Sequence, residues 1–334
     1  MSGHDAEVAD DPRTTHLRPG RREILRQTLT GVAVAGASLA LARLLYRPAG
    51  LAEAQSGSER QVRDFRVAEA AFPDIVVAKS HLDPAILTRR AVSALGGMGR
   101  FVSRGDVVAI KPNIGWDRTP AQAANTNPLV VAEVVRLCLE AGAHSVVVTD
   151  ASCNEARRSF QRSGIWSAAH AAGAEVLLPA EHRFRGMRIR GELLDHWPVY
   201  KPLIEADKVI NVPIAKHHNL SSYTGAMKNW YGVLGGRRNR LHQNIHLSVA
   251  DLATFMRPTL TVLDCTRVLL RNGPQGGNLA DARDMHQVVA GTDEVAIDAY
   301  GARLIGVDPR RVGYLLLGEA RGLGRLSSPE LLEV

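Results

Sequence analysis

Alternating strand and helix signals across residues 73–334 predict a single α/β domain. The expected form is a mainly parallel sheet with helices on both faces, Rossmann-like but without a dinucleotide fingerprint. Three observations carry that reading. Apolar runs such as Val107-Val108-Ala109-Ile110 show no polar alternation, as strands covered on both faces do not. Segments of helical length with start and stop signals lie between those runs. No G-x-G-x-x-G follows any strand, so the phosphate-binding turn of a dinucleotide fold is absent.

In chain order, Ile75 to Ala78 reads as a strand and Asp83 to Leu95 as a helix. Val107 to Ile110 is a buried strand. Pro128 to Ala141 is a helix, because Asn127 is a good N-cap and proline suits the first helical position. Ser145 to Thr149 is a strand. Ser159 to Ala172 is a helix stopped by Gly173, and Glu175 to Leu178 a strand. Met187 to Glu192 fits part of a hairpin. Lys208 to Asn211 is a strand, Tyr223 to Leu234 a helix stopped by Gly235-Gly236, and Leu247 to Met256 a helix. Leu260 to Leu263 and Gln287 to Ala290 are strands. Asp293 to Ile305 and Pro309 to Ala320 are helices.

The bulk properties fit a globular protein. Of 334 residues, 45% are hydrophobic and 22% charged, enough to bury a real core. The net charge of +7 favours anionic ligands, but with scattered basic residues and 5% aromatics it gives no nucleic-acid footprint. Residues 1–19 are polar and read as disordered. Within 20–54, Arg21-Arg22 precede a mildly apolar run from Leu29 to Leu45, and Ala52-Glu53-Ala54 offers a cleavage site before Gln55. The pattern resembles a twin-arginine signal, which implies the twin-arginine export machinery as a partner. The expected location is periplasmic or extracytoplasmic, with export in the folded state and a membrane tether if cleavage fails. A plain membrane anchor is the alternative, although Arg43 leaves the run short for one. Residues 55–72 read as a linker. Three cysteines, Cys138, Cys153 and Cys265, stand far apart with no C-x-x-C, which excludes a ferredoxin-type iron–sulfur cluster. Cys138 and Cys265 sit in apolar elements and read as core. Cys153, in a polar loop, is the thiol available as ligand or redox group.

The segment from Lys216 to His246 concentrates chemistry. It holds four histidines, two lysines and three arginines together with Met227, Trp230 and Tyr231. In open α/β sheets ligands bind beyond the carboxyl ends of strands. Loops beginning at Lys111-Pro112-Asn113, Asp150 to Asn154, Lys216 to His218 and Asp264 to Arg267 are therefore expected to meet this segment in one cleft. His242 and His246, four apart, would share a helix face and grip a metal, with His217, His218, Asp150 and Asp264 as further ligands. Imidazole with carboxylate or thiolate suits zinc, iron or copper. The spacing lacks the glutamate of a protease motif, because Gln243 stands there. Lys111, Lys228, Arg237 and Arg238 are candidate partners for a small anion, with Asn113, Thr126 and Asn229 as further substrate contacts. A lysine among apolar walls has a lowered pKa and serves as base or nucleophile, which fits Lys228. The blander alternative for Arg237 and Arg238 is a solvated basic turn. Asp293 fits a helix N-cap, and Asp298 a buried partner for a basic side chain. No G-x-S-x-G elbow or Walker A lysine is present.

Several separate blocks resemble the family named domain of unknown function 362. They are Ala109 to Asn113, Asn125 to Pro128, Thr224 to Gly232, Leu263-Asp264, Asn272-Gly273-Pro274, Ala290 to Asp293 and Ala296 to Ala299. The resemblance covers roughly residues 75–325 and implies the fold and the place of the site. Many members carry a ferredoxin-like cluster domain. This chain lacks those cysteines, so cluster chemistry is not implied for it.

These readings give an exported metal-assisted or redox enzyme, in the manner of a metal-dependent oxidoreductase, acting on a small anionic substrate. Its catalytic groups would be Lys228, Lys111 and Cys153. The rivals are a non-catalytic periplasmic anion-binding protein or cofactor chaperone, and an accessory subunit of a respiratory assembly with a partner protein.

Overall fold

A computed structural model describes residues 20–45, 62–68, 71–327 and 331–334. The chain divides into two units, residues 1–48 and 49–334. The first contains α1 (Arg21–Leu45), a single helix that starts at the arginine pair. Among the described residues, no helix is long and apolar enough to cross a membrane. The tail 1–19 and the cleavage site at 52–55 lie outside the described residues.

The second unit runs β1 (Ile75–Lys79), α2 (Pro84–Ala94), β2 (Val107–Pro112), α3 (Pro128–Glu140), β3 (Ser145–Thr149), α4 (Ala156–Arg162), α5 (Ile165–Ala171) and β4 (Glu175–Leu177). It continues with β5 (Phe184–Arg188), β6 (His196–Tyr200), α6 (Lys201–Ile204), β7 (Lys208–Val212), β8 (Ile214–His218), β9 (Ser222–Thr224) and α7 (Ala226–Asn229). It closes with α8 (Ile245–Phe255), β10 (Leu260–Leu269), β11 (Ala282–Gly291), α9 (Glu294–Leu304), α10 (Gly313–Ala320) and β12 (Leu331–Glu333).

The sheet order is β12-β1-β11-β10-β7-β2-β3-β4, with β8 and β9 branching from β10. From β4 to β10 every neighbour is parallel, whereas β11 pairs antiparallel with both β10 and β1. The fold is the expected mainly parallel α/β sheet. Successive strand residues point to opposite faces. Val108 and Ile110 join one buried cluster with α2, α3 and α5, while Ala109 joins a second cluster with α8, α9 and α10. Lys111, two residues after Ala109, belongs to that second face.

Caps fix several helix starts. Asp83 accepts from Ala85 N at 2.7 Å, Asn127 from Leu129 N at 2.9 Å and Asp293 from Ala296 N at 2.8 Å. Other elements differ from the sequence reading for identifiable reasons. The helix expected over 159–172 is two helices, because Gly164 takes φ +74° and breaks it. The hairpin near 187–192 is β5 with β6. Lys216 to His218 is strand rather than loop, because the ten-residue β10 gives β8 an edge to pair with. The same length places Asp264 to Arg267 inside β10 rather than in a loop. Tyr223 and Thr224 pair with β8, so the expected long helix shrinks to α7 followed by a 3-10 turn over Trp230–Val233. The expected linker includes Phe65, which is buried in the core and whose N–H donates to Arg257 O at 3.1 Å.

Candidate functional site

The carboxyl ends of β2, β3 and the β8–β9 hairpin open onto one cleft, closed over by α7 and the turn that follows it. Its volume is about 460 Å³, within the range of small-molecule sites. Three lysines line it: Lys111 from β2, Lys216 from β8 and Lys228 from α7. Lys111 and Lys216 are each 1% exposed and Lys228 is 8% exposed.

The three ammonium groups are satisfied to different degrees. Lys111 Nζ pairs with Asp150 Oδ1 at 2.8 Å and donates to Asn229 Oδ1 at 2.9 Å and Pro112 O at 3.0 Å. All three of its protons have partners, so its charge is built into the structure. Lys216 Nζ donates to Asn113 Oδ1 at 3.0 Å and Ala124 O at 2.5 Å, and has no carboxylate partner among the described residues. Lys228 Nζ has neither a hydrogen bond nor an ion pair among the described residues; it lies 5.0 Å from the centroid of the Tyr231 ring. Burial lowers all three pKa values. Lys216 falls to about 7, through burial and the nearby charge of Lys228. Lys228 falls to about 8, chiefly through burial. Lys111 is lowered by burial while Asp150 pulls the other way.

Beneath the lysines runs a fixed polar network. Asn229 Oδ1 also accepts from Asn113 Nδ2 at 3.0 Å, and Asn229 Nδ2 donates to Asn211 Oδ1 at 2.8 Å. Asn211 donates to Glu294 Oε1 at 2.6 Å, and Glu294 Oε2 accepts from Trp230 Nε1 at 3.0 Å. Asp150 Oδ2 accepts from Ile114 N at 2.7 Å. The backbone at Gly232 passes so close to this ion pair that a Cβ there would meet Asp150 Oδ1 and, at 2.6 Å, Lys111 Nζ. Asp298 anchors the lysine-bearing helix: it accepts from Ala226 N at 2.5 Å, Met227 N at 3.0 Å and the Tyr223 hydroxyl at 3.3 Å. Its partners are those groups rather than the basic side chain expected from the sequence. Thr224 Oγ1 faces the same cleft, buried and without a hydrogen-bond partner among the described residues.

The four histidines do not converge. His242 belongs to a 3-10 stretch over Arg238–Asn244, and α8 begins only at Ile245, so His242 and His246 do not share a helix face. His246 Nδ1 accepts from Tyr314 N at 3.2 Å, away from the cleft. His217 Nδ1 accepts from Gly273 N at 3.2 Å. His218 Nδ1 accepts from Leu220 N at 3.1 Å and Ser221 N at 3.3 Å. A backbone N–H can only donate, so each of these three rings carries its proton on Nε2, the reverse of the usual ligating tautomer. His242 differs. Its Nδ1 meets Asn239 O at 3.0 Å and must donate there, which leaves Nε2 free of a proton. His218 and His242 both line the cleft, with rings 6.3 Å apart and nearly parallel. Burial holds His218 far below its ordinary pKa range, helped by the charges of Lys228 and Lys216, so its ring is neutral. Among the described residues, no three His, Cys, Asp or Glu side chains form a group placed to hold a metal ion.

The remaining expected residues divide in the same way. Asp264 accepts from Asn127 N at 2.7 Å and Thr266 N at 2.9 Å, joining β10 to the start of α3 outside the cleft. Thr126 Oγ1 donates to Val212 O at 2.7 Å and accepts from Asn113 N at 2.9 Å, so it supports the wall without lining it. Arg237 is exposed and off the cleft. Arg238 lines the cleft but donates to Ala151 O at 2.5 Å, Ser152 O at 2.7 Å and Tyr231 O at 3.0 Å, which fixes the Asp150 loop. The thiol of Cys153 is exposed at the cleft and lies 3.7 Å from Arg238 Nη2. Cys138 and Cys265 are buried. Sequence reasoning missed Lys216 as a site residue, along with Asn211, Thr224 and Glu294. A lysine directly after the apolar run Val212 to Ala215 was the available signal for Lys216.

A family model described as Domain of unknown function (DUF362) matches residues 108–303. A thylakoid-associated protein of Synechocystis is 28% identical over 249 residues, covering 70% of this chain and 74% of that protein. Two solved structures are similar at 11% identity. One is a protein from Thermotoga maritima, with TM-score 0.41 over 68% of this chain and 60% of that one. The other is the lactate racemase apoprotein from Thermoanaerobacterium thermosaccharolyticum, with TM-score 0.40 over 73% and 58%. The match thus spans about three-fifths of the length of either solved chain. Residues from β2, β3, β8, β9 and α7 that build the cleft lie inside the matched segment, and the chain belongs to the DUF362 family.

Proposed function

We propose that the cleft binds a small organic anion and acts on it as an enzyme, with Lys228 meeting the negative charge. One observation supports this above the others: a lysine 8% exposed, lining a cavity, with no acceptor for its ammonium group among the described residues. A buried charge without a partner costs several kcal/mol, of the order of 3–5. A ligand that arrives with the opposite charge removes that cost on binding. Asp150 is already committed to Lys111, so Lys216, Lys228 and Arg238 leave the cleft cationic. The neutral His218 ring presents an Nε2–H donor, and a donor of that kind suits a carboxylate or developing oxyanion.

Metal assistance is the second reading and now has a narrower basis. His242, with Nε2 free, and Cys153 are the cleft side chains whose chemistry suits zinc, iron or copper. Export in the folded state through the twin-arginine machinery remains part of the proposal, resting on Arg21-Arg22. The thylakoid-associated relative gives support to a role beside a membrane assembly.

The test is thermal melting of the purified full chain in a panel of small carboxylates, phosphate and sulfate, with Lys228→Met alongside and metal content measured on the same samples. The reading expects a carboxylate-dependent rise in melting temperature that Lys228→Met removes. Equal shifts in wild type and variant would overturn it. Near-stoichiometric metal lost on His242→Ala would move the metal reading ahead.

A further inference from the structure

Lysine is scarce in this chain. Of 41 lysines and arginines only six are lysine (positions 79, 111, 201, 208, 216 and 228), and three of those six line one cleft. Arginine would supply charge as well or better, with a fork suited to carboxylates, but it does not give up its proton. Charge alone therefore does not account for the choice of lysine. An amine that can shed its proton and form a bond to carbon does.

Resting on the anion-binding reading above, we infer that Lys228 is an imine-forming nucleophile for a small 2-oxo acid, whose carboxylate is shared between Lys216 and the charge on Lys228. The geometry distinguishes the three amines. An imine nitrogen keeps at most one N–H, so Lys111 would have to break its ion pair and Lys216 would have to surrender hydrogen bonds to Asn113 and Ala124. Lys228 has no such bonds to lose among the described residues. The face of Tyr231, 5.0 Å away, suits the cationic iminium as it suits the ammonium ion. Lys216, held by two acceptors on the chain, has one further ammonium proton, and the cleft it lines is where that proton finds an acceptor.

The step balances without an oxidant or reductant. The free amine of Lys228 attacks the carbonyl carbon, the C–N bond forms, and the carbonyl electron pair moves to oxygen. That oxygen takes the proton that the attacking nitrogen gives up. The carbinolamine hydroxyl then takes the proton that the Lys228 ammonium shed before attack and leaves as water, while Lys216 keeps its charge on the carboxylate. The sum is ammonium plus ketone giving iminium plus water. With Lys228 at about 8 and Lys216 at about 7, both groups exchange protons near neutral pH.

The experiment is reductive trapping of the full chain. The protein is incubated with pyruvate as the probe, treated with borohydride, and analysed by intact mass and peptide mapping. The inference expects one reduced adduct per chain, located on Lys228 and lost in Lys228→Arg, with circular dichroism of the ligand-free variant confirming that it folds. Lys216→Gln is expected to lower the adduct yield. Carboxylate binding without any adduct, from pyruvate or a small aldehyde acid, overturns the inference and leaves anion binding intact. An adduct spread evenly over Lys79, Lys201 and Lys208 overturns it as well. Loss of both trapping and anion binding in wild type removes the underlying reading itself.

Discussion

Two cavities of this domain are lined with cations, and they are built in opposite ways. The cleft at the strand ends uses lysines that are buried, and among the described residues only Lys111 of the three has a carboxylate partner. A second cavity of about 280 Å³ is lined by Arg63, Arg66, Arg188, Arg190 and Arg257. There the guanidinium groups are paired at the surface: Arg63 with Asp207 at 3.0 Å, Arg66 with Asp64, and Arg188 with Asp195 at 3.3 Å. Exposed pairs of that kind contribute about 0–1 kcal/mol and are cheap to keep. A buried amine without a partner is costly, and folds retain such a group where a ligand or a reaction repays the cost. The difference separates a surface that is merely basic from one shaped to receive an anion.

The largest expected effect comes from breaking the one completed pair. Asp150→Ala leaves Lys111 buried without its carboxylate and should lower stability by about 3–5 kcal/mol in urea denaturation. Lys228→Met should act in the opposite direction. Removing an uncompensated charge from the ligand-free protein should raise stability by roughly 1–4 kcal/mol while abolishing the response to carboxylates. Gly232→Ala drives a methyl into the Asp150–Lys111 pair and should cost about 1–3 kcal/mol. Arg63→Ala, in the second cavity, should cost no more than about 1 kcal/mol and leave carboxylate binding unchanged. Equal losses for Asp150→Ala and Arg63→Ala would erase the contrast between the cavities.

The same contrast has a pH signature. Lys216 and Lys228 titrate at about 7 and about 8 in the folded chain, below the ordinary lysine value of 10.5. Between those values the unfolded chain binds more protons than the folded one, so stability rises with pH across that window. The penalty of burying both charges is felt in full below about 7. A bound anion favours the protonated amines, so its affinity should fall as pH rises through about 7 to 8. Melting temperatures measured with and without carboxylate across this range should converge at the alkaline end. The arginine cavity has no counterpart to this behaviour, because guanidinium groups stay charged throughout.

Much of the frame was legible from residue patterns. Buried runs gave β2, β3, β7 and β10, and Asn127 and Asp293 marked their helix starts, because these signals act within a few residues. The site was legible in place but not in membership. Lys111, Asp150, Cys153, Lys228, Asn229 and Arg238 do meet in the cleft, since strand ends of one sheet edge converge. The histidine motif misled because spacing predicts a shared face only within one helix, and here a 3-10 stretch gives way to α8 between His242 and His246. His217, His246 and Asp264 are spent on backbone N–H groups, which no spacing rule reveals. Lys216 was overlooked because its significance depends on how long β10 is and on which carbonyls its ammonium reaches. Both are tertiary facts.

The most direct test of the account is calorimetric titration of a small carboxylate into wild type and Lys228→Met, below pH about 7 and above about 8. The account predicts saturable binding whose affinity weakens at the higher pH, where binding takes up protons, and no binding heat in the variant. Binding of equal strength in both proteins, or binding indifferent to pH across that window, would contradict it.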